Sequence, residues 1–260
     1  MLSYQHSYHA GNAADVHKHV LLAAALDYMT RKDKALTYLE THAGRGLYDL
    51  SDAAARRTGE AAAGVGRLSD RLTAEHPWRR ALDATRAEHG SDAYPGSPLV
   101  AAHLLRRFDR IELAELHPAE HDALRSAIPG SPNTRIHRRD GLEMANAVTP
   151  PEPRRGLMLI DPSWEVRDDY PRLAKLLPQI HAKWNVGILM LWYPLLADRR
   201  HGPMLRALRG AIPKILVSEV HFAAARPGHG LVGSGMAIVN APWGLDAEAA
   251  RLKTIIEEEG

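Results

Sequence analysis

The sequence predicts an α/β fold in which a mostly parallel β-sheet is flanked by helices. Short apolar runs alternate with segments of helical periodicity along most of the chain, which is typical of parallel strands joined by helical crossovers. The clearest apolar run is Gly156–Ile160, which stops at the carboxylate of Asp161. A run of this kind fits a strand buried on both faces. The last two runs have no long helix between them, so we expect one antiparallel strand near the C-terminus.

The individual elements follow in order from the spacing of the apolar residues. Residues 94–98 are typical of a turn, and Pro98 suits the first position of a helix because its missing N–H has no partner there. The predicted helices are 15–29, several short helices between 52 and 88, 98–108, 119–127, 168–183 and 199–211. The predicted strands are 35–40, 110–116, 134–138, 156–160, 186–193, 214–222 and 235–240.

Composition excludes several classes of function. The chain has 260 residues and no cysteine, which excludes disulfides, thiolate catalysis and cysteine-ligated metal sites. Its 33 basic and 31 acidic side chains give a net charge of +2, so any contact with nucleic acid must come from a local patch. The polar N-terminal residues lack the apolar core of a signal peptide, and no apolar run is long enough to span a membrane. We therefore expect a cytoplasmic enzyme with one domain over 1–260.

Arginine pairs recur along the chain, and each can belong either to such a basic patch or to an ordinary solvated face. Between residues 52 and 92 arginines and acidic residues are equally frequent, so that segment carries no net charge. The pairs are Arg56-Arg57, Arg79-Arg80, Arg106-Arg107, Arg138-Arg139, Arg154-Arg155 and Arg199-Arg200.

Polar or glycine residues follow successive predicted strands. Gly44 and Gly46 come after the first strand, where glycine lets the backbone approach a ligand, although a plain tight turn uses the same residues. Glu115 ends the next strand, where its carboxylate can accept hydrogen bonds from ribose hydroxyls or simply face solvent. Asp140 and Gly141 end the third strand. The carboxylate can accept a hydrogen bond from the amino group of an adenine, and the glycine leaves room for the ring.

Together with Asp161, these residues occupy the ends of four successive strands. This is the layout of an adenosine-containing cofactor bound across a sheet edge, with Asp161 at the reaction centre. The stretch between Gly46 and Glu115 is much longer than the ~20 residues that separate the corresponding positions of a dinucleotide site. We therefore expect an inserted helical subdomain over 50–94.

The N-terminal histidines are candidate metal ligands, but their spacing along the chain argues against metal binding. His17 and His19 are two residues apart and diverge on a helix, whereas zinc needs three or four converging ligands. We expect no metal site. Single histidines that line a pocket mouth, or that lie on the surface, remain the alternatives for His6, His9, His17 and His19.

The chain resembles the bacterial 23S ribosomal RNA adenine-N6-methyltransferases, a class I family that uses S-adenosylmethionine and carries a helical insertion. The matching residues span nearly the whole chain. They are Met1-Leu2-Ser3-Tyr4, His6, His9-Ala10-Gly11-Asn12, Asp15-Val16, Lys18-His19, Tyr38-Leu39-Glu40-Thr41-His42-Ala43-Gly44, Tyr94-Pro95-Gly96-Ser97-Pro98-Leu99, Glu115-Leu116-His117-Pro118, Asp140-Gly141, Leu159-Ile160-Asp161-Pro162, Leu191-Trp192-Tyr193-Pro194 and Ser234-Gly235-Met236.

The resemblance implies a class I methyltransferase fold and roles for particular residues. Asp161 would be the catalytic carboxylate, and Tyr4 would lie near the entering RNA. Pro162 and Trp164 would contact the substrate base. The cofactor pocket would be lined by His19, His42, Gly44, Ser97, Glu115, Asp140 and Gly141.

The chain departs from the family pattern after Asp161. Where the family usually has Asp-Pro-Pro-Tyr, this chain has Asp161-Pro162-Ser163-Trp164. Trp164 can stack on a base at least as well as tyrosine does. Ser163 is more flexible than proline, which bears on rate and substrate choice more than on the type of reaction.

The expected activity is transfer of a methyl group from S-adenosylmethionine to the N6 atom of an adenine in 23S ribosomal RNA, either naked or in an assembly precursor. We expect a monomer. The alternatives are methylation of an adenine in DNA or of a glutamine in a protein, because the enzymes that carry out these reactions use similar loops. A third alternative is a cofactor-binding RNA-recognition module without activity, and the presence of Asp161 argues against it.

Overall fold

The computed structural model describes residues 8–128, 130–165, 168–223 and 230–259. The strands are β1 (Thr37–Glu40), β2 (Leu47–Asp49), β3 (Ala93–Pro95), β4 (Arg110–Ala114), β5 (Thr134–His137), β6 (Gly156–Ile160), β7 (Ile188–Leu196), β8 (Ile215–His221) and β9 (Leu231–Val239). The helices are α1 (Ala13–Thr30), α2 (Ala53–Thr58), α3 (Glu60–Ala63), α4 (Val65–Leu68), α5 (Pro77–His89), α6 (Ser97–Leu104), α7 (Pro118–Ala127), α8 (Gly141–Val148), α9 (Asp169–Lys183), α10 (Gly202–Ala211) and α11 (Leu245–Glu259).

Seven strands form the main sheet in the order β5-β4-β1-β6-β7-β9-β8. The pairs from β5 to β7 are parallel, whereas β9 runs antiparallel to both β7 and β8. The expectation of a mostly parallel sheet with one antiparallel strand near the C-terminus is therefore confirmed. Every residue of the central strands β1 and β6 is buried, which explains why β6 is apolar without alternation, whereas β1 also buries the polar Thr37 and Glu40.

The core lies in two layers, one on each face of the sheet. One layer contains α1, α5, α6 and α11, and α1 buries most of its length, including Val16, Val20 and Leu26. The other layer packs α8, α9 and α10 against the opposite face. No helix within the described ranges is long and apolar enough to cross a membrane.

The segment expected as an insertion consists of short helices that pack against the start of the chain. A side chain at Gly64 would overlap the carbonyl oxygen of Gly11, so this close approach requires glycine. Glu60 accepts a hydrogen bond from the Asn12 amide at 3.0 Å and lies 3.0 Å from Nδ1 of His9. The helices from α2 to α5 lie within this segment, and its delimitation as a subdomain over 50–94 stays a prediction.

The structure corrects several predicted boundaries. Residues 93–95 form β3, which pairs with β2, although the region was expected to be a turn. Helix α6 ends at Leu104 rather than at Phe108, because the backbone N–H of Arg106 turns to the Asp109 carboxylate. Strand β9 begins at Leu231, well before the predicted start. Its glycines reflect close packing rather than a turn, since a side chain at Gly235 would overlap the ring of Tyr193.

Candidate active site

The carboxyl ends of β5, β4, β1 and β6 lie side by side in the sheet, and they carry the polar residues that the sequence predicted. Because parallel strands all end at one edge, the segments that follow them meet there. These segments supply the His42–Gly46 turn, Glu115, Asp140 and Asp161. The structure therefore brings the predicted strand-end residues to one edge of the sheet.

The turn after β1 is held by Glu115. The backbone N–H of Gly44 donates to one carboxylate oxygen of Glu115 at 2.9 Å, and the N–H of His117 donates to the other at 2.8 Å. Gly44 and Gly46 have φ values of +61° and +76°, in the left-handed region that favours glycine. Each oxygen of Glu115 can accept a further hydrogen bond, so this carboxylate can bind hydroxyl groups as well as fix the turn.

Asp140 caps helix α8 at the end of β5. One carboxylate oxygen accepts hydrogen bonds from the N–H groups of Leu142 and Glu143, at 2.8 and 3.0 Å. Partial burial opposes the charged carboxylate, but these N–H donors and the nearby Arg172 outweigh it, and the pKa of Asp140 is lowered. A side chain at Gly141 would overlap the carbonyl oxygen of Thr41. Packing of α8 on β1 thus requires this glycine, and the room it leaves for an adenine ring stays a prediction.

Asp161 is tied to helix α1 through Lys18, which was not among the site residues predicted from the sequence. The Lys18 ammonium donates to Asp161 at 2.6 Å and to Asp15 at 3.0 Å, and all three side chains are largely buried. Burial alone disfavours the charged ammonium, but the two carboxylates outweigh it and raise the pKa of Lys18 above its ordinary value. The catalytic candidate is therefore held in place by a charged hydrogen bond.

Asp15 in turn is anchored at the start of α1. Its second carboxylate oxygen accepts a hydrogen bond from the N–H of Gly11 at 3.0 Å, while the Asn12 side chain caps the helix by accepting from the N–H of Asp15. The sequence did contain a signal for the pairing of Asp15 with Lys18. A lysine three residues after an aspartate, inside a helix that is otherwise apolar on most sides, is a candidate for a buried ion pair.

Glu40 lies at the end of β1 and is fully buried. It accepts hydrogen bonds from the hydroxyl of Tyr38 at 2.7 Å and from the hydroxyl of Ser97. Burial raises the pKa of Glu40 to about 8, even though these two donors and Lys18 favour its charged form. Ser97, predicted to contact the cofactor, thus bonds directly to Glu40, and its contact with the cofactor stays a prediction.

Glu40→Gln is expected to flatten the pH dependence of stability just above neutral pH. Folded Glu40 keeps its proton up to about pH 8, whereas an unfolded glutamate loses it near pH 4.5. Between these two values the folded state binds one more proton, so the free energy of unfolding falls as the pH rises. The buried histidines do not interfere above their ordinary pKa of 6.5. Urea unfolding of the cofactor-free protein from about pH 6.5 to 8 measures the slope. An equal slope in both proteins would contradict the expectation.

The two predicted cofactor-lining histidines occupy different environments. His19 is buried, with Nδ1 2.9 Å from the hydroxyl of Tyr94. His42 is half-buried, with Nδ1 2.7 Å from the hydroxyl of Thr41, and desolvation lowers its pKa to about 4. His42 is therefore neutral at physiological pH, and it follows β1 directly at the sheet edge. The contact of His19 with the cofactor stays a prediction.

Trp164 is packed into the core in this structure. Its side chain is only 7% exposed, and its ring lies 4.4 Å from that of Tyr170. The residue has a φ of +56°, which is strained for a tryptophan, and its indole N–H has no partner among the described residues. Stacking on a substrate base would require this ring to leave Tyr170. The predicted role in base stacking therefore stays a prediction.

Trp164→Ala separates a packing role from a stacking role. Loss of this buried ring should lower the free energy of unfolding by on the order of 3 kcal/mol, because a cavity is left beside Tyr170. Thermal and urea unfolding measure this cost. Trp164→Tyr is the control, since it retains a ring at the same place. An alanine variant with unchanged stability but reduced RNA methylation would contradict packing as the main role.

Tyr4 and His6 lie outside the described residues. Pro162 is buried directly after Asp161, and its contact with the substrate stays a prediction. Within the described ranges no group of three histidine or acidic side chains is arranged to hold a metal ion.

Comparison with known proteins gives the family. The family model described as "RsmJ: Ribosomal RNA large subunit methyltransferase D, RlmJ" matches residues 33–259. The chain belongs to this family. The resemblance noted in the sequence is thereby confirmed, together with the class I methyltransferase fold, the enzymatic character and S-adenosylmethionine as the cofactor.

Similar proteins match over nearly their whole length. Ribosomal RNA large subunit methyltransferase J of Haemophilus influenzae is 36% identical and is matched over 99% of this chain and 95% of its own length. The protein of the same name from Escherichia coli is 38% identical, over 95% of this chain and 90% of its own length. A crystal structure of a protein from Legionella pneumophila is 33% identical, with a TM-score of 0.86, and covers 96% of this chain and 94% of the other.

Proposed function

We propose that this protein methylates the N6 atom of an adenine in 23S ribosomal RNA. The observation that carries the proposal is the position of Asp161 and Pro162 at the end of β6, beside strand ends that fit an adenosine cofactor. Membership in a family of large-subunit ribosomal RNA methyltransferases supports the substrate. We further propose that the protein acts as a monomer in the cytoplasm, on naked RNA or on an assembly precursor.

The residues at the sheet edge fit S-adenosylmethionine. The left-handed glycine turn after β1 lets a ligand approach the backbone, and a side chain at Gly44 would press on the hydroxyl of Tyr48. Glu115 offers acceptors for ribose hydroxyls, and Asp140 offers one for an amino group. His42 lies between these strand ends and Asp161. When bound, the cofactor supplies a methyl group that its positive sulfur has already activated.

Asp161 orients and polarises the target amine. The lone pair of an adenine amino group is delocalised into the ring, so the nitrogen is a poor nucleophile. Hydrogen bonds from its two N–H groups to the Asp161 carboxylate and the Pro162 carbonyl favour a tetrahedral nitrogen and aim its lone pair. The base must leave its stack to reach this position.

Lys18 prepares Asp161 for this role. Its ammonium occupies one carboxylate oxygen at 2.6 Å, which leaves the other oxygen to accept from the substrate amine. The same contact restricts the rotation of the carboxylate. Asp161 need not be a strong base, because the proton can leave the nitrogen after it has gained the methyl group.

Glu115→Ala is expected to weaken binding of S-adenosylhomocysteine roughly 10- to 100-fold, which corresponds to about 1.5–3 kcal/mol for loss of a charged acceptor. The variant also frees the N–H of Gly44, so part of the loss comes from a looser turn. Isothermal titration calorimetry measures the affinity. Glu120→Ala is a control, because Glu120 pairs with Arg45 beside the same turn. Equal effects of the two substitutions would contradict a direct contact with the cofactor.

The decisive test of the proposed function is transfer of label from methyl-tritiated cofactor. Purified protein is incubated separately with 23S ribosomal RNA, DNA and a protein fraction, and labelled RNA is digested to nucleosides. Label in N6-methyladenosine from RNA supports the proposal. Label in DNA, in a protein glutamine or in no fraction would replace it with one of the alternatives from the sequence.

A further inference from the structure

The edge of the sheet opposite the candidate active site carries a concentration of positive charge. We call this edge the amino-terminal rim and define it by the connecting segments 31–36, 105–109, 149–155, 184–187, 212–214 and 240–244. Five of these segments lead into strands of the main sheet, and the last leaves β9, which runs in the opposite direction. All six therefore lie at the edge away from Asp161.

The rim has eight cationic and three acidic side chains, although the whole chain is almost balanced. Two cations are neutralised locally, since Arg106 pairs with Asp109 and Arg31 pairs with Asp27 of α1. Four others are exposed and form no ion pair with any residue in the described ranges. These four are Lys32, Lys34, Arg107 and Lys214. The rim thus presents unneutralised positive charge to solvent.

Hydrogen bonds join the separate loops into one surface. The Arg106 guanidinium donates to the carbonyl oxygens of Lys32 at 2.7 Å and Lys34 at 2.8 Å. Arg155 donates to the same Lys34 oxygen at 2.9 Å. Farther along, the Asn240 side chain donates to a carbonyl oxygen on each side of Val186. Lys32, Lys34 and Arg107 are therefore carried on braced backbone rather than on independent loops.

Two aromatic side chains lie on the same rim and are exposed. Trp243 is 83% exposed, more than any other large apolar side chain in the described ranges. Phe108 is 48% exposed and packs against the Arg106 guanidinium. β9, which leads to Trp243, lies three positions from β1 in the sheet, or on the order of 15 Å. Exposed aromatic rings beside free cations suit an RNA strand, which offers phosphates and unpaired bases.

We propose that the amino-terminal rim is a second RNA-binding surface, which holds the phosphate backbone of ribosomal RNA outside the segment that enters the active site. Trp243 provides a stacking surface for an unpaired base there. The inference rests on the proposed function, because that function makes RNA the polyanion that the protein meets. Strand β6 is five residues long, which separates the two edges by on the order of 17 Å. We expect a short hairpin bound at Asp161 to leave the rim free, whereas a folded rRNA domain extends far enough to contact both edges.

The test compares two RNAs and two matched sets of substitutions. The RNAs are a full-length 23S transcript and a short hairpin centred on the adenine that the protein methylates in that transcript. The rim variant combines Lys32→Ala, Lys34→Ala and Arg107→Ala. The control variant combines Lys175→Ala, Arg206→Ala and Arg209→Ala, which removes the same charge from exposed positions on α9 and α10.

For the rim variant, the Kd for the full-length transcript should rise by about tenfold. The slope of log Kd against log salt should also become shallower, by about 0.9 for each phosphate that the protein no longer neutralises. The control variant should change neither quantity appreciably. Trp243→Ala should weaken transcript binding severalfold, and Trp243→Phe should restore most of it. Methylation of the hairpin by the rim variant should match wild type.

Two outcomes would overturn the inference. Equal losses of transcript affinity in the rim and control variants would show that affinity depends on the total charge of the protein rather than on the rim. If the rim variant bound the transcript with unchanged affinity, the rim would not be an RNA-binding surface. The positive charge of the rim would then fit an acidic protein surface instead. Failure of the proposed function is recognised separately, because the wild-type protein would then methylate neither RNA.

Discussion

Asp161→Asn is expected to lower the rate constant of methyl transfer by about 10²–10³-fold, the usual effect of removing one hydrogen-bonding group from a transition state. The structure gives a specific reason. Lys18 can only donate hydrogen bonds, so the amide oxygen of an asparagine would turn towards it. The amide nitrogen would then face the substrate amine, donor against donor. Binding of the cofactor should be nearly unchanged, because its predicted contacts lie on other strands.

Single-turnover methylation and calorimetry with S-adenosylhomocysteine together test this expectation. Asp168→Asn is the matched control, because it makes the same chemical change at an exposed aspartate after the same strand. Turnover of Asp161→Asn at the rate of the control would remove Asp161 from the mechanism. A parallel loss of cofactor affinity would instead indicate a general disturbance of the sheet edge.

Lys18→Met is expected to reduce both stability and activity. Removing the buried ammonium leaves the carboxylates of Asp15 and Asp161 without their shared cation, and breaking a buried pair of this type costs about 3–5 kcal/mol. Methyl transfer should fall about a hundredfold, since Asp161 loses the contact that orients it. Urea unfolding and single-turnover assays measure the two effects.

A second substitution distinguishes charge burial from positioning. Asp15→Asn combined with Lys18→Met removes one carboxylate along with the cation, so much of the lost stability should return while activity stays low. Recovery of activity with stability would show that Lys18 acts only on folding. Lys253→Met is a surface control, because the exposed pair with Glu257 should be worth less than about 1 kcal/mol.

Much of the fold could be predicted from the sequence because the central strands are buried on both faces. Gly156–Ile160 has no polar residue to break its pattern, and its predicted bounds agree with the structure. The antiparallel strand was harder to delimit. Gly233 and Gly235 resemble turn residues, yet they lie inside β9, where the neighbouring Leu195 and Tyr193 leave no space for a side chain. Such packing between distant segments is invisible in a local pattern.

The candidate site was predictable where it depends on strand ends and unpredictable where it depends on helix α1. Glu115, Asp140 and Asp161 each follow an apolar run, so their grouping follows from parallel topology. Lys18 reaches Asp161 across 143 positions of sequence, and no local spacing indicates that contact. Trp164 shows a second reason why prediction from the sequence fails. Its residue type suits stacking on a base, whereas its burial beside Tyr170 depends on the path of the backbone after Pro162.

The contacts between Glu60, Asn12, Asp15 and Lys18 have a consequence for redesign. Exchanging the short helices for those of another enzyme would remove contacts that support Asp15 and Lys18, and through them Asp161. Glu60 and Gly64 support the segment that carries Asp15 and Lys18, although they lie within the segment to be exchanged. A graft that keeps the chain through the end of α4, and replaces only the residues after it, preserves these contacts. The practical boundary for such an exchange therefore lies inside the predicted insertion rather than at its ends.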